Sequence, residues 1–125
     1  MFEIRITTHF SAAHAIKMGG VRERLHGHDW RVRVVVGAPA LTAEGLVCDF
    51  HALENAVAAV IEPLKNGTLN DTPPFDVLNP TAENVAIHIG NAVKTWIATL
   101  PQPGGLQLVS ASVTEAIGCE ATFRP

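Results

Sequence analysis

The chain is 125 residues long, enough for one domain with a sizeable core and too short for two. A net charge of −3, with nine Lys and Arg scattered rather than gathered, argues against the basic field that nucleic acid calls for. Cys48 and Cys119 stand far apart and in no CxxC pair, which argues against a disulfide framework or a cysteine zinc knuckle.

Hydrophobic residues make up 47% of the chain and charged ones 17%, more apolar surface than a monomer of this size needs, so a homo-oligomer is expected. Glu3 and Arg5 interrupt the N-terminus before any signal-like stretch, and no apolar run reaches the roughly eighteen residues that span a bilayer. The expectations are a cytoplasmic location, with neither membrane nor nucleic acid as partner.

In chain order, Phe2, Ile4 and Ile6 alternate with Glu3, Arg5 and Thr7, the period-two pattern of a half-buried strand over 2–8. The segment from Met18 through Gly19, Gly20, Arg22, Glu23 and Arg24 reads as a flexible functional loop. A second strand is predicted over 29–37, with Trp30, Val32, Val34 and Val36 on one face and Arg31 and Arg33 on the other. The two strands should pair antiparallel. Asp49 can cap a helix whose Phe50, Leu53, Val57, Val60, Ile61 and Leu64 recur at three and four. A second helix, entered through Asn79, Pro80 and Thr81 and stopped by Pro101, carries Val85, Ile89, Val93, Trp96 and Leu100. After a loop at 101–105, Val109, Ala111, Val113 and Glu115 share one face of a third strand, and a short fourth follows at 120–123. The order ββααββ implies an α+β fold, two helices on one face of a four-stranded antiparallel sheet.

His26-Gly27-His28 opens the second strand, where residues two apart share a face, so both imidazoles can converge on one point. His14, at the end of the first strand, comes beside them if the strands pair as expected. Three neutral histidines leave one tetrahedral position open, the arrangement of a catalytic zinc. The same tripeptide also occurs as an ordinary turn, and spacing by itself leaves both readings open. His9 reads as packed in its strand, His88 lies beside the apolar stripe of the second helix, and His51 reads as a solvated residue of the first helical turn.

The segments FSAAH, LHGHDW, DFHALE, LNPTAEN and VTEA, in this order over almost the full length, resemble the family of 6-pyruvoyl-tetrahydropterin synthase and 6-carboxy-tetrahydropterin synthase. The resemblance implies a tunnelling fold in which subunits join their sheets into a barrel, as trimers or hexamers with sites between subunits. It implies Zn2+ held by His14, His26 and His28, and a pterin substrate anchored by Glu115. A carboxylate there can accept parallel hydrogen bonds from the 2-amino and N3 positions of the ring.

The departures from the family pattern are informative. The cysteine usually found a few residues before the HGH motif is replaced by GGVRERL, and Glu23 stands where a variant subgroup carries glutamate. Glu23 is therefore the candidate acid/base; without that context a loop carboxylate paired to Arg22 or Arg24 is the plainer reading. The Asp-His pair many members carry before LN is replaced by Lys65-Asn66, which leaves Lys65 or a folded-back His51 as substitutes. The variant subgroup implies a zinc-dependent lyase carrying out retro-aldol cleavage of a dihydroneopterin-type side chain. Synthesis of a 6-pyruvoyl or 6-carboxy tetrahydropterin from the triphosphate, or zinc and pterin binding without turnover, are the alternatives.

Overall fold

The N-terminal alternation is realised as a strand nearly twice the expected length. In the computed structural model, which describes residues 1–101 and 104–125, β1 runs Phe2–His14, followed by two short strands, β2 (Lys17–Met18) and β3 (Val21–Arg22), and by β4 (His26–Ala38). Helix α1 spans Phe50–Ile61 and α2 Ala82–Thr99; β5 (Gln107–Ala116) and β6 (Cys119–Phe123) close the chain. The main sheet has the order β1-β4-β5-β6 and every pairing in it is antiparallel. Both helices pack on one face, α2 across β5 and β6 and α1 against β1 and α2. Of the loop expected at 101–105, Gln102 and Pro103 lie outside the described residues.

The core forms where the two periodicities meet. Trp30, Val32, Val34 and Val36 of β4 are fully buried and face Leu53 and Val57 of α1 and Val85, Ile89 and Val93 of α2. Asp49 caps α1 by accepting from His51 N, and Thr81 caps α2 by accepting from Asn84 N. No helix among the described residues is long and apolar enough to cross a membrane.

Several expectations are corrected. The 18–24 loop folds back as the β2–β3 ribbon. Phe50 is half exposed at the start of α1; Trp96 packs against the core only partly buried, and Ile97 beside it is buried. Val109 does not share a face with Ala111, because a bulge opposite Val35 and Val36 shifts the register and puts Leu108 in the core instead. His9 is exposed on the uncovered face opposite Arg31.

Gly90 marks the closest approach of helix and sheet. A Cβ there would stand 2.5 Å from Cδ2 of Phe123 and 3.3 Å from Leu108 Cδ2, so α2 seats on β6 only because that atom is missing. Gly90→Ala is expected to destabilise the fold by about 1–3 kcal/mol through overpacking despite the better helix propensity of alanine. Urea denaturation of the two proteins checks this; an equal or raised midpoint would refute the tight contact.

Candidate metal centre

The register of β1 on β4 builds the site. His14 is paired with His26 and Ala12 with His28, so His14, His26 and His28 stand on the helix-facing side, continuing the row of Trp30. Their ring centroids lie 4.6–5.1 Å apart. Trp30 is the floor, edge-on to His14 at 4.8 Å and to His28 at 5.7 Å, and its indole N–H donates to Ala12 O at 3.1 Å. His14 is completely buried.

Backbone carbonyls set the tautomers. Nδ1 of His14 lies 2.8 Å from Pro80 O and Nδ1 of His26 lies 2.8 Å from Arg24 O. A carbonyl oxygen only accepts, so both Nδ1 atoms carry a proton, and in the neutral imidazoles both Nε2 atoms present lone pairs. Among the described residues, Nε2 of His14 and of His28 are buried without a hydrogen-bond partner. Oε1 of Glu115 sits 2.8 Å from Nε2 of His14 and 3.7 Å from Nε2 of His28, but this is a contact between acceptors rather than a hydrogen bond. Four ligand atoms, one each from His14, His26, His28 and Glu115, lie within 4.8 Å of one another. Buried lone pairs turned on one another and on a carboxylate are satisfied by a shared cation, and the donor set of imidazoles and carboxylate fits a divalent metal.

Burial pushes the His28 imidazole below its ordinary value; the charge on Glu115 opposes the shift, while His14 and His26 add to it. His28 is thereby held in the neutral form that binds metal. Glu115 owes its position to an irregularity of β5 between Thr114 and Ala116, a bulge that re-aims the side chain. On its other side the carboxylate borders a cleft of about 360 Å³ lined by Ala82, Glu83, Cys119 and Thr122. A second cleft of about 390 Å³ runs past His28, Asp29 and Ser11 to Asn66. A larger cavity, about 830 Å³ between Glu3, Lys94, Leu106 and Arg124, lies at the far end of β1 from the histidines.

Glu23 is brought to the edge of the cluster. Its Oε1 accepts from Ile16 N at 3.1 Å and stands 3.8 Å from Nδ1 of His26, while its own N–H donates to Ile16 O. Among the described residues it makes no ion pair with Arg22 or Arg24. Neither Lys65 nor His51 joins the site: Lys65 pairs with Glu62 at 2.6 Å, and His51, 87% exposed, stands 3.5 Å from Glu54.

The description of the 6-pyruvoyl tetrahydropterin synthase family matches residues 3–125. The chain belongs to that family. The 6-carboxy-5,6,7,8-tetrahydropterin synthase of Bacillus subtilis is 31% identical over 105 residues, covering 79% of this chain and 70% of that protein. The 6-pyruvoyl tetrahydropterin synthase of Caenorhabditis elegans superposes with a TM-score of 0.79 at 20% identity, covering 99% of this chain and 95% of that one. A Plasmodium vivax 6-pyruvoyltetrahydropterin synthase, solved as a catalytic-residue mutant with glutamate replaced by alanine, gives 0.75 at 19% identity over 99% and 97% of the two chains. These two structures share the fold of the present chain.

Within this family member, two asparagines unremarked as site residues hold the backbone that follows His14. Asn70 gives and takes hydrogen bonds with the backbone of Ala15 at 2.8 and 2.9 Å, and Asn79 does the same with Lys17 at 2.9 Å each. Each amide mimics a strand partner where β1 has left the sheet. The clue in the sequence was that a chain leaving a strand needs partners, and the LN and NPTAEN segments carry the side chains that supply them.

His88, half-buried edge-on to Phe75, is also shifted down by burial. A histidine with a lowered native value takes up its proton later than the unfolded chain does. The metal-free protein should therefore hold full stability above about pH 6.5 and lose it as the pH falls towards the lowered values of His28 and His88. Denaturation midpoints at pH 7.5 and 5.5 are expected to differ less in a His28→Gln/His88→Gln variant than in the parent; an equal slope would refute the assignment.

Proposed function

We propose that this chain is a zinc-dependent lyase acting on the side chain of a dihydroneopterin-type pterin, with retro-aldol cleavage towards 6-hydroxymethyl-7,8-dihydropterin as its reaction. The observation that carries the reading is the placement of Glu23 at 3.8 Å from His26, in a cluster of three imidazoles of which two, His14 and His28, have buried Nε2 atoms with no hydrogen-bond partner among the described residues. Zinc fits the three-histidine donor set and would supply Lewis acidity towards charge developing on side-chain oxygens.

The remaining steps belong to the residues. Glu115, opening on the 360 Å³ cleft, would accept from the 2-amino group and N3–H of the pterin and fix the ring. Glu23 would take the proton from the second side-chain hydroxyl; the bond between the first and second side-chain carbons breaks, a two-carbon aldehyde leaves, and the electron pair passes into the ring. Return of a proton to the first carbon completes the product. With Oε1 held by Ile16 N, the other carboxylate oxygen of Glu23 is the one left for this exchange. The Plasmodium vivax protein of the same fold is described as having a glutamate as catalytic residue, which supports a carboxylate in this role.

The name of the Bacillus subtilis relative favours a second reading, synthesis of a 6-carboxy tetrahydropterin from the triphosphate. The surface pairing of Lys65, where family members have Asp-His, favours a third, zinc and pterin binding without turnover. In each reading the protein is cytoplasmic and works as a trimer or hexamer, with copies joining along the sheet edges β1 and β6.

Incubating the zinc-loaded protein with 7,8-dihydroneopterin and with its triphosphate, and separating products by chromatography, is the test. Release of 6-hydroxymethyl-7,8-dihydropterin from the first is expected; consumption of the triphosphate alone would sink the retro-aldol assignment. Glu23→Ala should lower turnover about a hundredfold or more with zinc content unchanged. An active Glu23→Ala protein would remove the carboxylate from the chemistry.

A further inference from the structure

Resting on the zinc reading above, we propose that Glu115 is the fourth ligand of the metal in the pterin-free protein, so that one carboxylate serves the metal and the pterin ring in turn.

The distances argue for it. Ligand atoms about 2.0–2.2 Å from a tetrahedral zinc stand roughly 3.3 Å from one another. Oε1 of Glu115 lies 2.8 Å from Nε2 of His14 and 3.7 Å from Nε2 of His28, values that straddle that edge length. In the neutral, metal-binding imidazole the Pro80 carbonyl holds the proton of His14 on Nδ1 and leaves Nε2 with no hydrogen to offer the carboxylate, and among the described residues this Nε2 makes no hydrogen bond. Two acceptors at 2.8 Å repel unless a cation is shared between them, and with His14 fully buried water can screen the contact only from the Glu115 side.

The position of Glu115 lets the carboxylate do both jobs. It sits at the bulge between Thr114 and Ala116, is 27% exposed, and forms the wall between the histidines and the 360 Å³ cleft. A turn of its side chain away from His14 would carry it into the space where a pterin edge would lie. Coordination and ring anchoring are then alternatives for one group. Closing the fourth position with a carboxylate keeps the metal bound tightly in the absence of substrate, and pterin binding opens it. The three-histidine site remains when Glu115 is gone, which separates this inference from the assignment of the metal itself.

The test uses the full chain loaded with zinc or cobalt(II). Chelator competition should show Glu115→Gln binding zinc at least about tenfold more weakly than the parent, while Glu83→Gln, which removes a charge from the same cleft, changes affinity less than about twofold. The visible spectrum of the cobalt form should differ between parent and Glu115→Gln. Addition of neopterin, whose oxidised ring presents the same 2-amino and N3 edge, should move the parent spectrum towards that of the variant. Unchanged zinc affinity and cobalt spectrum in Glu115→Gln overturn the inference and leave a three-histidine metal in place. Equal weakening by Glu83→Gln also overturns it, since the effect would be the field of the cleft rather than coordination. Failure of the parent to bind zinc stoichiometrically overturns the metal centre on which the inference rests.

Discussion

Antiparallel pairing of β1 with β4 in a single register is the constraint on which the rest of this molecule depends. Thirteen consecutive pairs join the two strands, from Phe2 with Ala38 to His14 with His26. A slip of one residue would turn every side chain of one strand to the opposite face. Phe10 and Ile6 would leave the core, and in the same step His14 would leave His26 and His28. Stability and chemistry are therefore coupled: the apolar row that buries Trp30, Val32, Val34 and Val36 is the row whose continuation carries the histidines.

Around that row, backbone groups orient the functional side chains. The carbonyls of Pro80 and Arg24 hold the protons of His14 and His26 on Nδ1 and leave Nε2 bare. Pro80 lies immediately before the Thr81 cap of α2, so the helix that buries the sheet also orients the His14 ring. Asn70 and Asn79 complete this support by pairing with the backbone of Ala15 and Lys17. Between them they lead the chain from His14 into the β2–β3 ribbon, which in turn delivers Glu23 to the edge of the cluster.

Irregularities in β5 matter as much as its regular part. The bulge opposite Val35 and Val36 exchanges Val109 for Leu108 in the core, and the one near Thr114 brings Glu115 against His14. Extra residues in a strand change which way the next side chain points, and here they serve packing at one end and the site at the other.

Fold class, element order and the three histidines were legible in the sequence because each rests on a local period: two in the strands, three to four in the helices, and two across His26-Gly27-His28. The family pattern added Glu23 and Glu115. What it left out were contacts between residues far apart in the chain. The Pro80 carbonyl on His14, the asparagine clamps and the withdrawal of Lys65 and His51 to surface pairs follow no sequence spacing. The amino-acid order alone thus determined which faces are apolar and which residue types can bind a metal, since these are properties of short repeating segments. Only the tertiary structure decided how the imidazole protons are held and how near Glu115 comes to His14, because both are set by backbone meeting side chain across the fold.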